Sequence, residues 1–323
     1  MNSGNVRAEQ WNGFEGVRLE NAGFSALVLP ECAGKIVELT VRSDGRQWLW
    51  RNPAIPVRLP RFGADYIHEF DSGGWDEIFP TVAPCVIETK GRRLTLPDHG
   101  ELVGLRWRAV ELEADGREAR LGLEAFAPLT RCLFRRRIVC PLDAARMRME
   151  YALIHQGEAD APWLWSAHPL LRPEGGLRIE LPEGAEMTLW ELEEGRLVRR
   201  GLFAWPWAEI GGARRDLSRL SSEAEARERP LAAKVFGRWP EEGARLVLAN
   251  GHGFRVQAEG VDWLGLWMNL CGWRGAGPAP YYNLGFEPTA APFDSLTEAL
   301  AAGAARRIRP GERIRWSVTL TAF

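Results

Sequence analysis

The stretch ARMRMEYALIH, residues 145–155, alternates residue by residue: Met147, Met149, Tyr151 and Leu153 are apolar, and Arg146, Arg148 and Glu150 between them are charged. A period of two is that of a β-strand with one face in a core and the other in water. Related runs extend in both directions: VRLE at 17–20, FSALVLP at 24–30, KIVELTV at 35–41, LRWRAVELE at 105–113 and EARLGLEA at 118–125. The pattern resumes with AAKVFG at 232–237, ARLVLAN at 244–250, GFRVQAEG at 253–260, WLGLWMN at 263–269 and ERIRWSVTLTAF at 312–323. Gly, Pro and Asp divide the runs, and residues 244–258 read as a hairpin turning at Asn250-Gly251-His252-Gly253. Helix signals are few. The best is DSLTEALAAGAARR, where Ser295 and Glu298 have capping-box spacing. Strands along the whole length, without alternating helices, predict an all-β fold: a large antiparallel β-sandwich with few short helices. The polar segment 208–230 reads as a long surface loop, and residues 1–323 as a single domain.

Composition narrows the function. With 41 Lys and Arg against 43 Asp and Glu, the net charge is -2, which gives no general attraction for nucleic acid. The basic run RCLFRRR places Arg131, Leu133, Arg135 and Arg137 on one side of a strand and Cys132, Phe134, Arg136 and Ile138 on the other, which reads as a solvated strand face. Five scattered cysteines without a CxxC pair suggest reduced thiols. No stretch approaches the ~20 apolar residues of a spanning helix, and the first residues have no apolar signal region, so a cytoplasmic protein without a membrane partner is expected.

Phosphate loops, GxGxxG after a strand, HExxH and GxSxG are all missing. What remains are histidines and carboxylates at turns. GADYIHEFDSGGWDEIFPTVAP (63–84) gathers His68, Glu69, Asp71, Asp76 and Glu77 around Trp75, without the regular spacing of an oxygen-ligand metal loop. His99 sits in a Pro-Asp-His-Gly turn, with Glu101 and Arg106 following. His168 and Glu287 each end a strand and are followed by proline. Trp163 and Trp165 precede His168, and Trp263, Trp267 and Trp273 surround Asn269. Indole faces beside hydroxyl-binding side chains suit a carbohydrate cleft as well as a core.

GGWDEIFPTVAP, the His-Gly at 99–100, the His-Pro at 168–169, the Gly-Phe-Glu at 285–287 and the closing PGERIRWSVTL at 310–320 together resemble the aldose 1-epimerase (galactose mutarotase-like) superfamily over most of residues 15–323. The resemblance implies a sugar-binding supersandwich and cofactor-free, metal-free mutarotation as a monomer or homodimer. It implies His168 as the acid at the ring oxygen, Glu287 as the base at the anomeric hydroxyl, and His99 as a sugar ligand. Asp76, which has no equivalent in the best-known galactose mutarotases, Arg106, which matches no clear family motif, and Trp75 beside Gly73-Gly74 are expected from their neighbourhood to complete the pocket. An ordinary imidazole pKa of ~6.5 suits the acid. Two stretches depart from the family: Pro169-Leu170-Leu171 replaces an aromatic pair, and Asp98-His99-Gly100-Glu101 replaces the usual surroundings of the first histidine. The substrate is therefore open. Two other readings stand beside this one: a non-catalytic sugar-binding or sensing protein, and a phosphosugar 1-epimerase, which needs converging cations such as Arg61, Arg106 and Lys234.

Overall fold

A computed structural model describes residues 5–323 apart from Lys90, Gly175 and Ala276. Two large antiparallel sheets, of 12 and 8 strands, dominate it. The alternating stretch that opens the sequence is the strand Arg146–His155, in the middle of the smaller sheet between Cys132–Pro141 and Arg313–Ala322. Its Met147, Met149, Tyr151 and Leu153 are buried, as a period of two requires. They join one apolar cluster with residues of the larger sheet such as Leu39, Trp75, Phe286 and Leu266, so the sheets pack face to face as a sandwich. The predicted hairpin is present, with Ala244–Val247 paired to Gly253–Glu259.

The helix expected near Ser295 is Leu296–Ala301, capped by the Ser295 side chain, which accepts from the Glu298 N–H. Segment 208–230 is more structured than the loop that its polarity suggests. Trp207–Ile210 pairs with Ala213–Asp216, and Glu223–Glu228 is helical. Ser222 and Glu225 form a full capping box there. The same S-x-x-E spacing was legible in the sequence, without a following apolar run to draw attention to it.

The basic run divides by face. Arg131, Arg135 and Arg137 reach solvent, whereas Arg136 is 1% exposed and enters the space between the sheets. There it donates to Glu77, whose carboxylate also accepts from Tyr151 and Trp165. Arg136 is thus a buried ion instead of part of a solvated face.

Candidate functional site

Five neighbouring strands of the larger sheet set the site: Trp75–Ile78, Ser166–Leu171, Tyr282–Thr289, Trp263–Leu270 and Leu231–Arg238. Asp76 lies opposite His168, and Gly265 lies opposite both Glu287 and Phe236. The pairs Ser166 with Thr289 and Leu170 with Gly285 set His168 opposite Glu287. Asp76, His168, Glu287, Gly265 and Phe236 therefore form a single row on the face turned away from the sandwich core. Their strand neighbours Trp75, Ala167, Phe286, Leu266 and Val235 point into the core.

Above this row is a cavity of about 490 Å³. His99, His168, Asp98, Asp71, Lys234 and Asp294 line its polar part, and Trp190, Phe236, Trp267 and Phe293 its aromatic part. His168 Nε2 is 3.7 Å from Glu287 Oε1, an oxygen without a hydrogen-bond partner among the described residues. The other oxygen, Oε2, accepts from Lys234 at 2.5 Å and from the Ser166 hydroxyl at 3.4 Å. Lys234 also pairs with Asp294 at 3.2 Å. Gly285 makes room for the carboxylate, because a Cβ there would stand 2.5 Å from Glu287 Oε1.

His99 comes to the same place from the turn after Leu96. Its φ of +57° lies in the left-handed region, where residues other than glycine are uncommon and often mark functional sites. Its Nδ1 is 2.9 Å from Asp98, and its ring stacks on Tyr66 at 4.5 Å and meets the His168 ring edge-on at 5.3 Å. Gly100, next to His99, admits the Phe79 carbonyl: a Cβ would lie 2.1 Å from that oxygen.

The two histidines differ in charge. Burial pushes the His168 pKa down to about 3, with help from the positive charges of His99 and Lys234, so its ring is neutral at pH 7. This corrects the ordinary imidazole expected from sequence. For His99 burial acts in the same direction, but the adjacent Asp98 outweighs it and raises the pKa. Lys234 likewise has its pKa raised, Asp294 and Glu287 outweighing burial.

Of the six residues singled out by sequence, His168 and His99 line the cavity, and Glu287, 1% exposed, lies against His168 at 3.7 Å without lining it. Asp76 is on the correct face but beneath the wall, where it accepts from Lys35 and Tyr66, each at 2.5 Å; it touches the site through Tyr66, which carries His99. Trp75 does not face the site. It is 2% exposed and packs against Leu39, Pro169 and Phe254 between the sheets. Adjacent residues of a strand point to opposite faces, so Asp76 and Trp75 cannot both serve one pocket. Arg106 is absent too: its side chain is 64% exposed and pairs with Glu31, while the next residue, Trp107, turns into the core. Arg61 is exposed and pairs with Glu69, so it does not converge with Lys234 either. His68 is exposed beside Asp65, and Glu77 belongs to the core, which separates the acidic cluster of residues 68–77.

Sequence reading passed over Lys35, Tyr66, Asn283 and Asp294. Lys234 carried a signal, being the charged residue within the apolar run AAKVFG at 232–237.

No family model matches the sequence, and neither does any curated protein. Solved structures do match. A galactose mutarotase-like protein from Clostridium acetobutylicum superposes with a TM-score of 0.69 at 14% identity, covering 98% of each chain. A galactose mutarotase related enzyme from Lactobacillus acidophilus gives 0.66 at 10% identity, over 95% of this chain and 97% of the other. A galactose mutarotase-like protein from Lactobacillus casei gives 0.62 at 12% identity, over 95% and 100%. The sandwich read from the strand pattern is accordingly the galactose mutarotase-like fold.

Proposed function

We propose that the protein is a mutarotase-like enzyme that interconverts the anomers of an aldose through side-chain acid and base chemistry, without a metal or organic cofactor. The observation that carries this reading is the pairing of a buried carboxylate oxygen without a partner among the described residues, Glu287 Oε1, with the neutral imidazole of His168, which lines the cavity, at 3.7 Å.

Opening a cyclic hemiacetal needs a proton taken from the C1 hydroxyl and one delivered to the ring oxygen. Glu287 Oε1 takes the first, while Lys234 and Ser166 hold Oε2 in place. His168 faces the ring oxygen as a neutral N–H donor. As the bond from C1 to the ring oxygen breaks and C1 becomes a carbonyl, that oxygen gains alkoxide charge and the hydrogen bond develops into proton transfer. His99 and Lys234, whose charges disfavour an imidazolium, stabilise the ring as it gives up its proton. Rotation about C1–C2 presents the other carbonyl face. Reclosure returns the ring-oxygen proton to His168 and the Glu287 proton to O1. His99, carried by Tyr66 and Asp98, binds the sugar beside this pair.

Anomer-exchange NMR on a panel of aldoses, with a chelator present and across pH, tests the reading. Exchange faster than the uncatalysed rate is expected. The rate should not change through the ordinary histidine range near ~6.5, since His168 is neutral on both sides of it. It should fall only at higher pH, where His99, with its raised pKa, loses its charge. Activity that is lost on chelation and restored by a divalent ion would overturn the cofactor-free reading. Sugar binding without exchange would favour a non-catalytic sugar-binding protein.

A further inference from the structure

Asn283 precedes Glu287 by four residues in the same strand and points to the same face, with Gly285 between them. It is 1% exposed and lines the cavity, and neither its Nδ2 nor its Oδ1 has a hydrogen-bond partner among the described residues. Buried side-chain amides are as a rule satisfied within the protein. Its cross-strand partner Asn269 shows the ordinary case, donating to the Trp273 carbonyl at 3.0 Å and accepting from the Trp273 N–H at 3.1 Å.

The surroundings suit a sugar. Trp267 lies opposite Gly285, and both Trp267 and Trp273 line the cavity beside Asn283. Asn283 is ~7 Å along the strand from Gly285, over which the Glu287 carboxylate lies. A pyranose with its C1 hydroxyl at Glu287 Oε1 would thus direct its far edge towards Asn283. An amide donates and accepts at once, which matches hydroxyls and offers no charge to a phosphate. The carboxylates Asp71, Asp98, Asp294 and Glu298 outnumber the permanent cations Lys234 and Arg196 around the cavity, and Lys234 is already paired.

We infer that Asn283 is a specificity-determining residue that hydrogen-bonds hydroxyls of the substrate remote from C1, and that the substrate is an aldose uncharged at that end. This inference rests on the mutarotase-like reading for where C1 lies, but its test reads binding. Tryptophan fluorescence titrations would compare wild type and Asn283→Ala with D-galactose, D-glucose, D-mannose and their 3-, 4- and 6-deoxy analogues. Wild type should prefer at least one parent sugar over one of its deoxy analogues by about tenfold, the effect of one hydrogen bond. Asn283→Ala should abolish that preference while its melting temperature stays level or rises, since no protein hydrogen bond is removed.

The inference is overturned if Asn283→Ala keeps every wild-type preference, if its melting temperature falls by several degrees, or if wild type binds none of the sugars. Binding by wild type without anomer exchange would overturn the catalytic reading alone. Loss of the preference in the variant would still support Asn283.

Discussion

Asp76 and Glu77 are consecutive, yet they belong to two buried ionic clusters of opposite character. Glu77 faces the sandwich core, where Arg136, Tyr151 and Trp165 donate to it at 3.1, 2.9 and 3.0 Å, leaving both oxygens occupied. Asp76 faces the other way, towards a cluster in which Glu287 Oε1 and the Asn283 amide have no partner among the described residues. In the core both Glu77 oxygens have donors, whereas in the outer cluster one oxygen each of Asp76 and Glu287 and the Asn283 amide have none among the described residues, which is costly for a buried polar group unless something else supplies the partner. Burial still leaves its mark on the closed network, raising the Glu77 pKa to about 7 against the pull of Arg136.

The difference can be broken first at the core. Glu77→Gln removes the charge facing Arg136 and should destabilise the protein by ~3–5 kcal/mol, the usual effect of leaving one member of a buried pair behind. Urea unfolding would measure it. A loss below about 1 kcal/mol would mean that the core network is no more committed than the site. Glu287→Gln should have a much smaller effect on stability, because Lys234 keeps Asp294 as a partner.

A second contrast sets Trp75 against Arg106. Trp75→Ala should lower stability by ~3–5 kcal/mol, as for other core aromatics, while sugar affinity of the folded fraction is kept. Arg106→Ala removes one exposed ion pair, so stability should change by less than ~1 kcal/mol and sugar affinity not at all. A tenfold loss of affinity in either folded variant would return that residue to the pocket.

Period-two alternation made the sandwich legible, because burial on one face imposes it strand by strand. It also contained the correction of Trp75, since choosing Asp76 for the site excludes its neighbour. His168, Glu287 and His99 stood out through their turns and prolines. Lys35 and Tyr66 did not, because their roles depend on the register that brings residues 35, 66 and 76 together. The charge state of His168 was hidden as well, being set by burial and by His99 and Lys234, which are distant in sequence. Asn283 shows both limits. Its spacing from Glu287 places it on the same face, but only packing reveals that its amide lacks a protein partner.

Anomer exchange by wild type, Glu287→Gln and His168→Asn, measured on an aldose that wild type converts, tests the central claim most directly. Each substitution removes a proton acceptor or donor while retaining a polar side chain. Each should slow turnover by ~10²–10⁴, the range for a positioned acid or base, with sugar affinity nearly unchanged. The double variant should lose far less than the product of the two, because the residues act as one unit. Exchange at the wild-type rate in both single variants would contradict the account.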